Sequence, residues 1–292
     1  MSRRVCLIYN PAAGGGRARK VLPEMEAALH REDLTFRSTA TTGLDHAEEL
    51  AREAAAEGEV AATLGGDGLV GRVAHALRDS PDSLLAILPG GRGNDFARVL
   101  GIPNDPAGAA HVVAAGNERA LDVGDVGGKT FVGIASCGFD SEANRIANEA
   151  PSRLGNLVYA YGALRALVAW TPAAFDLELD GERLGYSGWS VVCANSSAYG
   201  GGMFVAPDAE LDDGMLDVVI TRRSTKRHFL RQLPKVFKGT HVEDPKVEVH
   251  RAREVTIAAD RPFALYADGD PIADLPATVR AVPGAVRVLV PA

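Results

Sequence analysis

The sequence predicts a three-layer α/β domain followed by a β-rich domain of sandwich type. Two observations carry this reading. Over residues 4–100, short apolar runs alternate with helical periods, the grammar of a mostly parallel sheet covered on both faces. From about Val123 the period changes to short alternating runs separated by turn residues such as Asp180-Gly181 and Pro283-Gly284, which is the pattern of antiparallel β-structure. The boundary falls near Leu121–Gly127, giving domains over 1–123 and 124–285.

The elements follow in order. Arg4–Tyr9 reads as a buried strand and Asn10–Gly16 as a turn of little side-chain bulk; a helix then crosses Arg17–Arg31, with Pro23 a kink or a late start. Leu34–Thr39 is a second strand. Asp45–Glu57 is a helix with Ala47, Leu50, Ala51 and Ala54 on one face. Val60–Leu64 leads through GGDG into a helix over Leu69–Arg78, and Leu84–Leu88 leads through PGGRGND into a short helix over Phe96–Leu100. Strands are then expected at Lys129–Ile134, Phe175–Leu179, Trp189–Ala194, Leu216–Thr221, Glu254–Ala258, Phe263–Ala267, Ala277–Val282 and Val286–Val290. Helices are expected over Leu154–Trp170, with Leu157, Val158, Tyr161, Leu164 and Val168 as a core-facing stripe, and over Ser224–Lys238.

The 292 residues hold 46% hydrophobic and 24% charged side chains, ordinary globular values that exclude a largely disordered chain. No apolar run reaches the roughly 18 residues of a membrane span, and the N-terminal stretch is too short for a signal peptide, so a cytoplasmic location is expected. A net charge of −7 has the wrong sign for a protein that coats nucleic acid. Cys6, Cys137 and Cys193 are far apart and flanked by apolar residues, so buried reduced thiols are expected rather than a metal site or disulfides.

Three glycine-rich segments fall at the carboxyl ends of predicted parallel strands, where open α/β sheets bind ligands: Asn10–Gly16, Gly65–Gly68 and Gly90–Asp95. Glycine lets main-chain N–H groups approach a phosphate, and a helix start adds the positive end of its dipole. Three such turns on one edge predict a phosphate or nucleotide site. Neither GxGxxG after the first strand nor GxxxxGK[ST] is present. Asp67 lies within one turn and Asp95 within another. For Asp95 a helix N-terminal role competes with a functional one. A carboxylate in a phosphate cradle repels its ligand unless a divalent cation bridges them, so Asp67 implies Mg²⁺.

NPAAGG, GGDG, PGGRGNDFAR at Pro89–Arg98, NSSAYGGGMFVAPDAELDDGMLDV at Asn195–Val218 and DGD at Asp268–Asp270 occur in that order, ahead of the closing VPGAVRVLVP. In this order and spacing the chain resembles the diacylglycerol kinase catalytic-domain family, specifically its bacterial soluble lipid kinases, over nearly its whole length. GGDG alone is shared with NAD kinases; the GGGM…PDA…DDG…LDV segment favours lipid kinases. The resemblance implies an ATP-binding first domain, a lipid-binding second domain, and a last strand near 286–292 that returns to the first. It implies an ATP- and Mg²⁺-dependent kinase acting on the hydroxyl of a diacylglycerol-like lipid. Asn10, Pro11, Gly14, Thr41, Gly65, Gly66, Asp67 and Gly68 would face ATP, with Arg92, Gly93, Asn94 and Asp95 of the third turn. Asp213 with the carbonyls of Glu210 and Met215 matches the family's Mg²⁺ site, Asp270 the position proposed as general base, with Asp67 the second candidate, and Asp122 an acid near the substrate. A homodimer stays open.

The departures from the family pattern are specific. GGDGT is GGDGL here, so Leu69 offers no hydroxyl; the Asn-Glu pair that follows is Gly71-Arg72; the Thr of PxGTGND is Arg92; and the base is Asp270 rather than Glu. These keep two alternatives open: a kinase of a soluble acceptor, as in NAD kinases, and a non-catalytic nucleotide- or lipid-binding relative. Between Arg222 and Lys238 lie seven Lys/Arg and no acid, with Phe229, Leu230, Leu233, Val236 and Phe237 at helical spacing. This tract reads either as a solvated amphipathic helix or as a transient contact with an anionic membrane surface, which would make the protein peripheral.

Overall fold

The computed structural model describes residues 3–150 and 158–292. Its first domain is built on β1 (Arg4–Tyr9), α1 (Ala13–Arg31), β2 (Thr35–Ala40), α2 (Leu44–Ala56), β3 (Val60–Gly65), α3 (Asp67–Leu77), β4 (Leu84–Pro89) and α4 (Asp95–Val99). The strands pair in parallel in the order β2-β1-β3-β4. β3 is buried along its whole length, as a central strand between two helical layers must be. On one face α2 packs with α3. On the other α1 packs with α5 (Pro106–Ala115), a helix the sequence reading did not anticipate although Asp105 caps its start and Gly116 (φ +72°) ends it in the left-handed region. Within α1 the residues Gly14–Gly16 all have positive φ, so the regular helix begins at Arg17 and runs through Pro23.

β5 (Asn117–Val126) passes from one domain to the other: Val123 packs in the first core and Val126 in the second. The second domain holds β6 (Lys129–Phe131), β7 (Ile134–Gly138), α6 (Phe139–Glu149), α7 (Val158–Ala169), β8 (Ala173–Leu179), β9 (Glu182–Ala194), β10 (Leu216–Arg222) and α8 (Lys226–Val236), then β11 (Val247–Ala252), β12 (Glu254–Ala259), β13 (Ala264–Ala267), β14 (Asp270–Asp274) and β15 (Ala277–Val290). Its strand pairs are antiparallel, in the order β14-β13-β7-β9-β8-β12-β15, with β10 beside β9 and β11 beside β10. A mixed α/β domain with a C-terminal β-sandwich is the architecture.

Three corrections to the sequence reading have clear causes. Ala277–Val282 and Val286–Val290 are one strand, because Pro283-Gly284 forms a bulge in the pairing with β5 instead of a turn. The second half of β15 then pairs in parallel with β4, so the strand belongs to both domains. The run Lys129–Ile134 divides into β6 and the start of β7, because the chain turns at Val132-Gly133. The stripe expected to face the core on α7 does not: Leu164 is 61% and Val168 80% exposed, Tyr161 lies at the surface, and Ala166, Leu167 and Trp170 are buried in its place. Residues 154–157, including Leu157, lie outside the described residues. All three cysteines are buried and free.

Candidate active site

The three glycine turns meet. Gly90 N–H donates to the Gly65 carbonyl at 2.9 Å, and Asn10 N–H to the Leu64 carbonyl at 3.3 Å. A Cβ on Gly91 would stand 2.4 Å from the Gly66 Cα, and one on Gly14 3.1 Å from the Gly90 oxygen. At these two positions, at least, no other residue keeps the turns together. The third turn is tied internally by Asn94, whose Oδ1 accepts the Gly91 N–H at 2.8 Å while its own backbone sits in the left-handed region at φ +51°. Arg92 reaches back over the first turn, with Nη2 placed 3.4 Å from where a Cβ on Gly15 would stand. Pro11 lies in the first turn, where Asn10 Oδ1 accepts the Ala12 N–H at 3.0 Å. Thr41 is at the same sheet edge, its N–H donating to the Tyr9 carbonyl at 2.8 Å and its buried hydroxyl turned to Gly43. Leu69 packs behind the second turn against Gly65, so the hydroxyl missing there is replaced by core packing.

Asp67 starts α3 and caps another helix. Its two carboxylate oxygens accept the N–H groups of Asp95 (3.1 Å) and Phe96 (3.0 Å), the first turn of α4. Burial pushes its carboxyl above the usual carboxylate range; the two N–H donors pull the other way and the Asp95 charge adds to the rise. Asp95 is held by Arg98 and also accepts the Gly201 N–H at 2.7 Å. Gly201 stands in a second-domain loop, closed by the Tyr199–Met203 bridge, in which Gly200, Gly201 and Gly202 all have positive φ. Gly93 sits between the two acids: a Cβ there would lie 3.1 Å from Asp95 Oδ2 and 3.4 Å from Asp67 Oδ2.

Asp122 is buried elsewhere. It accepts the N–H of Gly214 (2.6 Å) and of Gly284 (2.7 Å), fixing the acidic 210–215 loop against the β15 bulge. Asn195 Nδ2 bridges the carbonyls of Asp122 (3.1 Å) and Val132 (2.9 Å) where the chain crosses between domains. The hard-cation set that the resemblance implies is the Asp213 carboxylate with the main-chain carbonyls of Glu210 and Met215, in this same loop. Glu210 is exposed, and the Asp213 carboxylate is taken by Arg251 and by the Met215 N–H at 2.9 Å. Among the described residues no three His, Cys, Asp or Glu side chains form a metal cluster.

The acid that sequence reading passed over is Asp268. In the β13–β14 turn it accepts three main-chain N–H groups, from Val132 (2.9 Å), Gly133 (2.9 Å) and Ile134 (3.1 Å). Desolvation pushes its carboxyl up to about 7; the donors oppose that rise and the Asp67 charge adds to it. Asp270, two residues on, is exposed. Both line a cleft of about 170 Å³ between the domains, walled on one side by Gly68, Gly71, Arg72 and His75 of α3 and on the other by Lys129, Thr130 and Pro271. The three sites of the sequence reading therefore separate into a joined pair and an outlier. The second glycine turn and the Asp268–Asp270 turn share α3, whereas Asp122 ties the 210–215 loop to the β15 bulge.

Residues 4–126 match the family model described as the diacylglycerol kinase catalytic domain, and residues 133–290 match that of the YegS C-terminal NAD kinase beta sandwich-like domain. A diacylglycerol kinase of Mycobacterium tuberculosis (strain CDC 1551 / Oshkosh) is 34% identical over 296 residues, covering 99% of this chain and 95% of the relative. One of Bacillus subtilis (strain 168) is 29% identical over 272 residues, covering 92% and 90%. A crystal structure from Bacillus anthracis str. Sterne superposes with a TM-score of 0.84 at 23% identity, covering 99% of this chain and 95% of that one, which establishes the shared fold.

Proposed function

Since the chain belongs to the diacylglycerol kinase family, its catalytic domain joined to the YegS-type β-sandwich, we propose that it transfers the γ-phosphoryl group of ATP to the hydroxyl of a diacylglycerol-like lipid. The observation that carries this reading is the convergence of three glycine turns on one sheet edge, with α3 running from them into a cleft that ends in two further carboxylates. Glycine N–H groups and the Arg92 guanidinium suit the phosphates. The divalent cation enters with the nucleotide, as part of that substrate, and supplies charge neutralisation. In the transfer the lipid hydroxyl oxygen forms a bond to the γ-phosphorus and the bond from the γ-phosphorus to the bridging oxygen breaks. ADP leaves with that electron pair, and the hydroxyl proton passes to Asp270. Phosphoryl transfer asks the protein chiefly for positioning and charge compensation, so a weak base suffices.

Access to a lipid requires a surface. On α8, Lys226, Arg227, Arg231 and Lys235 are exposed beside Leu230, while Phe229 turns inward to stack on Trp189. Lys226 Nζ donates to the Val168 carbonyl at 2.8 Å, which joins this basic face to the exposed Leu164 and Val168 of α7. Cations around exposed apolar side chains suit reversible contact with an anionic bilayer surface, each cation contributing about 1 kcal/mol near it. Among the described residues no helix is long and apolar enough to cross a membrane.

The test is an acceptor panel with radiolabelled ATP, read by chromatography: dioleoylglycerol in mixed micelles against NAD. Label in phosphatidic acid supports the proposal, and label in NADP overturns it. Asp270→Ala should abolish transfer while ATP affinity stays near that of the parent; full activity in this variant moves the base elsewhere.

A further inference from the structure

One face of α3 meets the second domain. Gly71, His75 and Arg78 stand at helical spacing, so they point the same way. Against Gly71 lies the Asp268 carboxylate, its Oδ2 3.4 Å from where a Cβ would stand. His75 Nδ1 is 3.0 Å from Thr130 Oγ1. Arg78 ends the helix, and its Nη1 donates both to Asp125 Oδ2 at 2.7 Å and to Thr130 Oγ1 at 2.9 Å. Arg72, the other arginine of α3, pairs within the first domain, with Glu48 at 2.8 Å. Among the described residues, Arg78–Asp125 is therefore the ion pair that ties α3 to the β5–β6 hairpin.

The pair is shielded: the Arg78 side chain is 22% and that of Asp125 10% exposed, so water and salt screen it little. Asp125 Oδ1 also accepts the Gly128 N–H at 3.1 Å, which fixes the carboxylate in the turn of the hairpin. Asp79, 3.9 Å from Arg78 Nε and almost fully exposed, adds little.

From Thr130 the chain leads directly to the Asp268–Asp270 turn. Val132, two residues on, opens the run of three N–H groups that holds Asp268. A Cβ on Gly133 would stand 2.5 Å from Asp268 Oδ1, so this contact has no slack. The contacts close a ring, from Gly71 along α3 to Arg78, through Thr130 and the 132–134 backbone to Asp268, and back to Gly71. The 11 residues of α3 span about 16 Å, with Asp67 and the second glycine turn at the start. A tilt at the Arg78 end therefore changes the spacing between the glycine turns and the Asp268–Asp270 turn.

Resting on the lipid-kinase reading, we infer that Arg78 is a positioning residue for the transfer. By fixing the far end of α3 to the β5–β6 hairpin, it holds the Asp268–Asp270 turn in register with the phosphate turns at the start of the helix.

The experiment measures kcat and the KM for ATP with dioleoylglycerol in non-ionic mixed micelles, beside urea unfolding of the same preparations. Misplaced reacting groups cost rate steeply, so Arg78→Met should lower kcat tenfold or more while the KM for ATP stays within twofold. One nitrogen makes both bonds, so the Nζ of Arg78→Lys can replace it and should bring kcat to within threefold of the parent. Arg78→Met strands the Asp125 carboxylate, so Arg78→Met with Asp125→Asn is run beside it. This double variant removes the stranded charge and should regain the urea midpoint of the parent, yet keep the low kcat. If kcat returns with the midpoint, the pair serves stability alone and the inference is overturned. A loss that appears as a raised KM for ATP assigns Arg78 to the nucleotide and also overturns it. Both of these outcomes leave the kinase reading standing, because the parent still phosphorylates dioleoylglycerol; a parent that transfers to no lipid overturns both.

Discussion

Replacing Asp67 by Asn separates two jobs that the carboxylate holds at once. The side chain accepts one N–H at each oxygen, Asp95 at 3.1 Å and Phe96 at 3.0 Å. Asn keeps a single acceptor and turns an NH₂ toward the other donor. One charge-assisted hydrogen bond is lost, worth about 1.5–3 kcal/mol, and a half-buried N–H is left facing a donor, at about 1–3 kcal/mol. Against this, the variant no longer carries the desolvation that raises the Asp67 carboxyl, so the losses do not add in full. The net expectation is about 1–3 kcal/mol of destabilisation. At about 2–4 °C per kcal/mol, the midpoint of thermal unfolding should drop by several degrees, with α4 and the third glycine turn loosened first. Turnover should fall on the order of 10²-fold or more, since the acid also faces the phosphate turns. Urea unfolding and steady-state phosphorylation, run on the same preparations, check both. Parent-like kcat with lowered stability would reduce Asp67 to a helix cap, and parent-like values of both would refute the account of its geometry.

Asp268 gives a pH dependence of defined sign. Its folded carboxyl titrates at about 7, above the usual carboxylate value of 3.8, so its contribution to stability is fully present below about pH 4 and is lost as pH rises through 7. Asp268→Asn should flatten that slope in urea midpoints between pH 4 and 7; an unchanged slope rules the assignment out. Gly91→Ala forces a Cβ to within 2.4 Å of the Gly66 backbone, so the turns must part, at about 1–3 kcal/mol of overpacking and a raised KM for ATP. Parent-like KM and stability would show that the turns do not touch in solution. Arg227→Glu with Arg231→Glu should lower cosedimentation with anionic liposomes at low salt and leave ATP affinity unchanged, whereas equal binding makes the α8 tract a solvated face only.

What the sequence disclosed was whatever is written locally. The alanine-rich face of α2, the apolar run of β3 and the glycines at strand ends each follow from a short window, and each sits within a residue or two of its expected place. The missed features need distant partners. Pro283-Gly284 carries turn chemistry, and only pairing with β5 and β4 on either side of it makes a bulge. Tyr161, Leu164 and Val168 have helical spacing, but which face of α7 is covered depends on where Trp170 and Trp189 stack. Likewise nothing local in DGD tells how its two acids are held. Only the fold brings the Val132–Ile134 backbone, more than a hundred residues earlier, onto Asp268 and leaves Asp270 in the open.

The strand shared by both domains governs the order of events during synthesis. In a chain emerging from the ribosome, β4 appears well before its sheet neighbour, the end of β15. Until then the β4 edge, lined by Leu84 and Leu85, is an unpaired parallel edge of the sort that recruits other chains. The first domain therefore gains its last sheet neighbour only when β15 is in place, at the start of β4 and away from the glycine turn at its other end. Chains that stop before Ala277 should accordingly leave the start of β4 unpaired, read as aggregation that the full chain does not show.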